Sequence, residues 1–158
     1  MTIIIILIFL LCVSAVFSSL ETGLLSLGEV KIRDLAEYKM KELELWIKEP
    51  SKVITGILVG NNFVNITFSA ILTYVVVKIW LIPETFSEIV SIIASSALIL
   101  IFGEIIPKTF ANTYPEKIVA RSFKPFIAFF KMTKAIIRML HFISFSMVGV
   151  LRNKEEKK

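Results

Sequence analysis

Three stretches without a single charged residue decide what this chain can fold into: Met1–Leu20, Val53–Val77 and Ile89–Gly103. About 20 apolar residues wound as a helix span the hydrocarbon core of a bilayer. The hydrophobic share of the 158 residues is 56%, above the roughly 45–50% of a soluble domain even with Gly counted. Mean hydropathy is +0.79. An ordinary soluble enzyme is thereby excluded, and so is a disordered chain, which cannot carry this much apolar surface. Cys12 is the lone cysteine and His141 the lone histidine, which excludes a disulfide scaffold and argues against a zinc site. The chain reads as an all-α membrane protein.

The first span runs from Met1 to about Leu27. It lacks the basic start of a signal peptide and its apolar stretch is too long for one. The second is Val53 to about Val77. The third runs from about Phe86 to Ile106, with Pro107 and Lys108 expected to stop it. Of the 18 Lys and Arg, six fall between spans one and two, one (Lys78) between spans two and three, and eleven after span three. The positive-inside rule therefore places the 28–52 loop and the C-terminal part in the cytoplasm. The N-terminus and the short 78–88 loop then lie outside. Within the first loop, Glu37 with Lys41 and Glu44 with Lys48 have the spacing of helical ion pairs, which reads as a solvated cytoplasmic helix or hairpin.

After Pro115 the character changes. Lys124, Lys131, Lys134, Arg138 and His141 recur at spacings of 7, 3, 4 and 3, with Phe126, Phe129, Phe130, Ile136, Ile137 and Leu140 between them. A helix with a basic stripe suits an anionic leaflet. Met139–Leu151 is uncharged, but its 13 residues are short for a crossing, so an interfacial helix is favoured over a fourth span. Residues 1–114 are thus expected to form a three-span membrane domain, and 115–158 a juxtamembrane helical belt with a basic tail.

Polar groups inside a span are costly, about 2.5–3.5 kcal/mol for a central Asp. Three clusters bear such a cost: Ser18, Ser19, Glu21, Thr22 and Ser26 in span one, Asn61, Asn62 and Asn65 in span two, and Gly103 with Glu104 in span three. Asn61 and Asn65 share a helix face, as do Ser18, Thr22 and Ser26. Pro107 has no N–H for the carbonyl of Gly103, which frees that oxygen beside the Glu104 carboxylate. The donors are all oxygen, without thiolate or imidazole, a set for a hard cation such as Mg²⁺, with Ca²⁺, Mn²⁺ or Na⁺ as other occupants. Depth supports convergence: Asn61 lies about 12 Å into span two. The bland reading is helix packing through small residues; it is preferred for Ser14, Ser19, Thr67, Ser95 and Ser96 taken singly. Glu104 has one of its own, an ion pair with Lys108.

At these clusters the chain resembles the transmembrane domain of the CNNM/CorC family of magnesium transporters. The matching segments are Phe17-Ser18-Ser19-Leu20-Glu21-Thr22-Gly23-Leu24-Leu25-Ser26, then Leu58-Val59-Gly60-Asn61-Asn62-Phe63-Val64-Asn65, then Phe102-Gly103-Glu104-Ile105-Ile106-Pro107-Lys108-Thr109. Glu21 with Lys108 resembles the bacterial branch. The resemblance implies a homodimer with three transmembrane helices per chain and cytoplasmic juxtamembrane amphipathic helices. It implies Mg²⁺ export, driven by Na⁺ influx, from an inward-facing site. By motif position that site comprises Ser18 or Ser19, Asn61, Asn65, the Gly103 carbonyl and Glu104. Glu21 serves the ion or the coupling Na⁺ on this reading, and Thr22, Ser26 and Asn62 are further candidates. Family members continue into a paired CBS nucleotide-binding module, which this sequence lacks; it is expected to be the membrane part of a longer chain. The expected place is the cell (inner) membrane, with no nucleic-acid partner and no enzymatic activity. The rivals are a Mg²⁺ channel or sensor without Na⁺ coupling, and a scaffold whose polar clusters only pack helices.

Overall fold

The computed structural model describes residues 1–79 and 84–155. It is 95% helical, and the described residues contain no strand. In chain order the elements are α1 (Thr2–Ser26), α2 (Glu29–Tyr38), a 3-10 turn (Lys41–Leu43), α3 (Glu44–Lys48), α4 (Pro50–Ile79), α5 (Glu84–Leu98), a π-helical segment (Ile99–Ile105), α6 (Ile106–Thr113) and α7 (Pro115–Glu155). Among the described residues, three helices are long and apolar enough to cross a membrane: Thr2–Ser26, Pro50–Lys78 and Phe86–Thr113. The chain is a multi-pass membrane protein. Residues 80–83 of the loop expected outside, and the side chain of His141, fall outside the described residues.

Lipid-facing helices are not held together by burial of apolar surface, because the tails are as apolar as the side chains. Ile4, Ile8, Phe9, Ile89, Ile92 and Ile93 are accordingly exposed. Close approach at small residues holds the bundle instead. Gly56 and Gly60 lie one turn apart on α4 and form a notch. A Cβ at Gly60 would stand 2.5 Å from Cζ of Phe17 and 3.0 Å from Cε1 of Phe129, and one at Gly56 would stand 2.8 Å from Cδ2 of Phe130. Rings from α1 and α7 thus fill the space that α4 leaves open. On α5, Ser87, Ser91 and Ser95 repeat every fourth residue and are buried. Ser91 and Ser95 turn their hydroxyls back to the carbonyls of Glu88 and Ile92, so small, internally satisfied groups form that packed face.

One expectation is corrected. Pro107 does not end the third span, which continues helically to Thr113. The π-helical segment shifts the hydrogen-bond register, the N–H of Ile106 reaching the carbonyl of Ile101 five residues back. Pro107 then falls in the first turn of α6, where a missing N–H costs nothing. The apolar residues of α7 divide between the bundle and the surface, where Met132, Ile136, Leu140 and Phe142 are exposed. Val119, Phe123, Phe126, Phe130 and Ile137 are buried, and Phe17 meets the rings of Phe126 and Phe129 at 6.4 and 5.2 Å. Lys131, Lys134 and Arg138 are exposed, and Lys134 and Arg138 border a cavity that Phe130 and Ile137 also line. In the first loop Glu44 and Lys48 pair at 2.7 Å, whereas α2 ends at Tyr38 and so takes Lys41 out of register with Glu37.

Candidate cation site

Ser14 stands at the midpoint of the 25-residue α1, about 18 Å from either end at 1.5 Å per residue. Its hydroxyl, only 1% exposed, faces both asparagines of α4. It lies 2.6 Å from Oδ1 of Asn65 and 3.1 Å from Oδ1 of Asn61. A hydroxyl carries one hydrogen, so the two amide oxygens share one donor. Asn65 in turn donates through Nδ2 to Oε1 of Glu104 at 3.4 Å. Gly103 closes the ring of contacts: a Cβ there would stand 2.8 Å from Oγ of Ser14. Only glycine lets the third span approach α1 this closely.

The π-helical segment carries both Gly103 and Glu104. Widened helical turns of this kind are often found at functional sites. Here the turn presents a carboxylate toward α4 while the glycine lies against α1. One further oxygen is available. Ser18 shares the face of Ser14 one turn on; its Oγ is fully buried and has no hydrogen-bond partner. An unpartnered buried hydroxyl costs about 1–3 kcal/mol, an expense relieved by a ligand.

The other expected residues separate from this cluster in different ways. Ser19 turns its hydroxyl back to the carbonyl of Val16 at 3.1 Å. Ser26 donates to Oδ1 of Asn112 on α6 at 2.6 Å. Asn62 is exposed, away from the face that Asn61 and Asn65 share. Thr22 is half-buried, two turns from Ser14 along the same stripe. Glu21 pairs with Lys108 at 3.6 Å, so the lysine expected to compete for Glu104 reaches across to α1 instead. The residue the sequence reading set aside was Ser14, taken there as packing. Its signal was available: Ser14, Ser18 and Thr22 repeat every fourth residue.

Among the described residues no group of three or more His, Cys, Asp or Glu side chains gathers to hold a metal. The assembled donors are therefore two amide oxygens, hydroxyls and a single carboxylate. Such a set has the chemistry to replace the water of a cation with neutral oxygens, and Glu104 supplies the only formal charge in this hydrogen-bonded cluster.

With that geometry in view, comparison with known sequences is decisive. The profile of the CNNM family, described as the cyclin M transmembrane N-terminal domain, matches residues 5–158. This chain belongs to the CNNM family. It is 37% identical over 112 residues to the UPF0053 inner membrane protein YfjD of Escherichia coli K12, covering 67% of this chain and 25% of that protein. It is 38% identical over 123 residues to a UPF0053 protein of Haemophilus influenzae, covering 74% of this chain and 28% of the relative. The chain therefore spans about a quarter of the length of these curated relatives. CNNM family proteins are membrane transport-associated proteins rather than enzymes.

Proposed function

We propose that this chain is a Mg²⁺ transporter membrane domain that exports Mg²⁺ from the cytoplasm, driven by Na⁺ influx, through the Ser14–Asn61–Asn65–Glu104 cluster. The observation that carries the reading is the convergence of oxygens from three spans beside the buried, unpartnered Ser18 hydroxyl, at a spacing compatible with the ion. Octahedral Mg²⁺ takes oxygens at about 2.0–2.1 Å, which sets neighbouring ligand oxygens about 2.9 Å apart. The Ser14 hydroxyl lies 2.6 and 3.1 Å from two converging amide oxygens, bracketing that edge. An arriving ion displaces the shared hydroxyl hydrogen from between them. The Gly103 carbonyl and the unpaired Ser18 hydroxyl complete the shell, and Glu104 rotates from the Asn65 amide onto the ion. Ser19 belongs to the family motif, but its hydroxyl is committed to its own helix, so Ser18 is the better donor.

A site near mid-membrane suits alternating access, in which rocking helices expose it to one side at a time. One carboxylate leaves a bound divalent ion with a net positive charge, which favours release once the neutral oxygens part. Na⁺ then replaces it on the return, with Glu21 as a second carboxylate near the pathway. The same reading places the chain in the inner membrane as a homodimer, N-terminus outside and C-terminus cytoplasmic. The exposed basic stripe of α7 meets lipid, and a CBS module follows in the longer protein.

The test is Mg²⁺ flux in proteoliposomes with and without an imposed Na⁺ gradient, for the wild type and Glu104→Gln. Na⁺-dependent flux that is lost in the variant supports coupled export. Flux indifferent to Na⁺ assigns a channel, and binding without flux assigns a sensor.

A further inference from the structure

A second concentration of charge lies away from the cation site. Where α6 ends at Thr113 and α7 begins, a cavity of about 700 Å³ opens between α2 and α7. Four lysines line it (Lys31 from α2, Lys39 just after its end, Lys117 and Lys124 from α7), together with the one carboxylate of Glu116. Glu116 is shared: Lys31 stands 3.1 Å from it and Lys39 3.2 Å. Lys117 lies over the Tyr114 ring at 5.4 Å, and Lys124 is 4.0 Å from Glu42, at the limit of an ion pair. The lysines outnumber the carboxylates that face them, and the Glu116 carboxyl is held below its ordinary range by the hydrogen bonds of Lys31 and Lys39. The positive end of the helix dipole at the start of α7 lies along the same wall.

We propose that this cavity binds the phosphate of an anionic phospholipid headgroup. Position favours a lipid over a free phosphate. The wall begins at Thr113, the last residue of the third apolar span, at the height where headgroups lie. Tyr114, an aromatic type enriched at the membrane–water interface, lines the cavity. The site meets the basic stripe of α7 only at Lys124; Lys131, Lys134 and Arg138 do not line it.

Native mass spectrometry of the whole chain in detergent tests this with dioleoylphosphatidylglycerol, dioleoylphosphatidylcholine and inorganic phosphate as probes. The anionic lipid is expected to be retained as a discrete adduct, and the zwitterionic lipid is not. Each lysine near a membrane surface contributes about fivefold in binding to anionic lipid. Lys31→Gln with Lys117→Gln should therefore lower occupancy by roughly twenty-fivefold, while Lys41→Gln with Lys48→Gln, which removes the same charge from residues that do not line the cavity, leaves it unchanged. Lys117→Gln alone keeps both lysine contacts to Glu116 and still lowers it by about fivefold, so a folding defect in the double variant does not blunt the test. Equal retention of the two lipids, or equal loss in the two double variants, overturns the proposal. Displacement of the lipid by an equal concentration of inorganic phosphate also overturns it, reassigning the cavity to a soluble phosphate.

Discussion

Replacing Gly60 by alanine probes the notch that joins α1, α4 and α7. The new Cβ would stand 2.5 Å from Cζ and 2.6 Å from Cε1 of Phe17, and 3.0 Å from Cε1 of Phe129. Carbon atoms rest at about 3.5–4.0 Å, so the Phe17 ring must retreat by roughly 1 Å. It has little room to do so. Phe17 is 7% exposed and sits edge-on to Phe126 and Phe129. Overpacking of this kind costs about 1–3 kcal/mol, while alanine regains up to about 1 kcal/mol of helix propensity. The net expectation is a loss of about 1–2 kcal/mol, read by equilibrium unfolding in mixed micelles. Shortening the ring makes the diagnosis specific: Phe17→Leu should cost less in the Gly60→Ala background than in the wild type. A Gly60→Ala variant as stable as wild type, or more stable, would refute the contact and with it the route by which α7 fixes α4 beside Asn61.

Ser14→Ala removes the donor shared by Asn61 and Asn65. It should cost about 0.6 kcal/mol of stability, as membrane hydrogen bonds do, yet weaken Mg²⁺ binding about tenfold, or roughly 1.4 kcal/mol, by calorimetric titration. Gly103→Ala pushes a methyl toward Oγ of Ser14 and should abolish Mg²⁺-dependent thermal stabilisation without loss of helicity by circular dichroism. Glu21→Gln removes only the part-exposed pair with Lys108; it should cost less than about 1 kcal/mol and leave Mg²⁺ affinity unchanged in Na⁺-free titrations. Glu116 has a folded-state pKa depressed below its ordinary 4.5 by Lys31 and then Lys39. Its contribution to stability is therefore complete above the unfolded value and is lost as pH falls through the folded one. The stability gap between wild type and Glu116→Gln should shrink as pH falls below the ordinary 4.5, measured by unfolding at each pH.

How much of this was legible in the sequence follows from what each signal depends on. The spans were legible because lipid imposes length and apolarity locally, residue by residue. The shared face of Asn61 and Asn65 was legible because a four-residue spacing fixes direction within one helix. What spacing cannot supply is the partner. Glu104 and Lys108 have ion-pair spacing, but the π-helical turn sends Lys108 to Glu21 and Glu104 to Asn65. The amphipathic pattern of α7 was plain, but it does not distinguish a lipid surface from the Gly56–Gly60 notch that receives its Phe129 and Phe130. Ser14 was passed over because a lone serine in an apolar helix is usually a packing residue. Its place opposite Gly103 is a property of two helices together.

The central claim is that oxygens from three spans converge on one Mg²⁺, with Glu104 as the charge in the cluster. Isothermal titration of Mg²⁺ into the purified chain in Na⁺-free detergent, for wild type and Glu104→Gln, tests it most directly. The account predicts saturable binding to the wild type. In the variant, affinity should fall by more than the roughly 10–100-fold that follows loss of an outer partner of a metal site. Equal affinity in the two proteins, or no binding to the wild type, would contradict it.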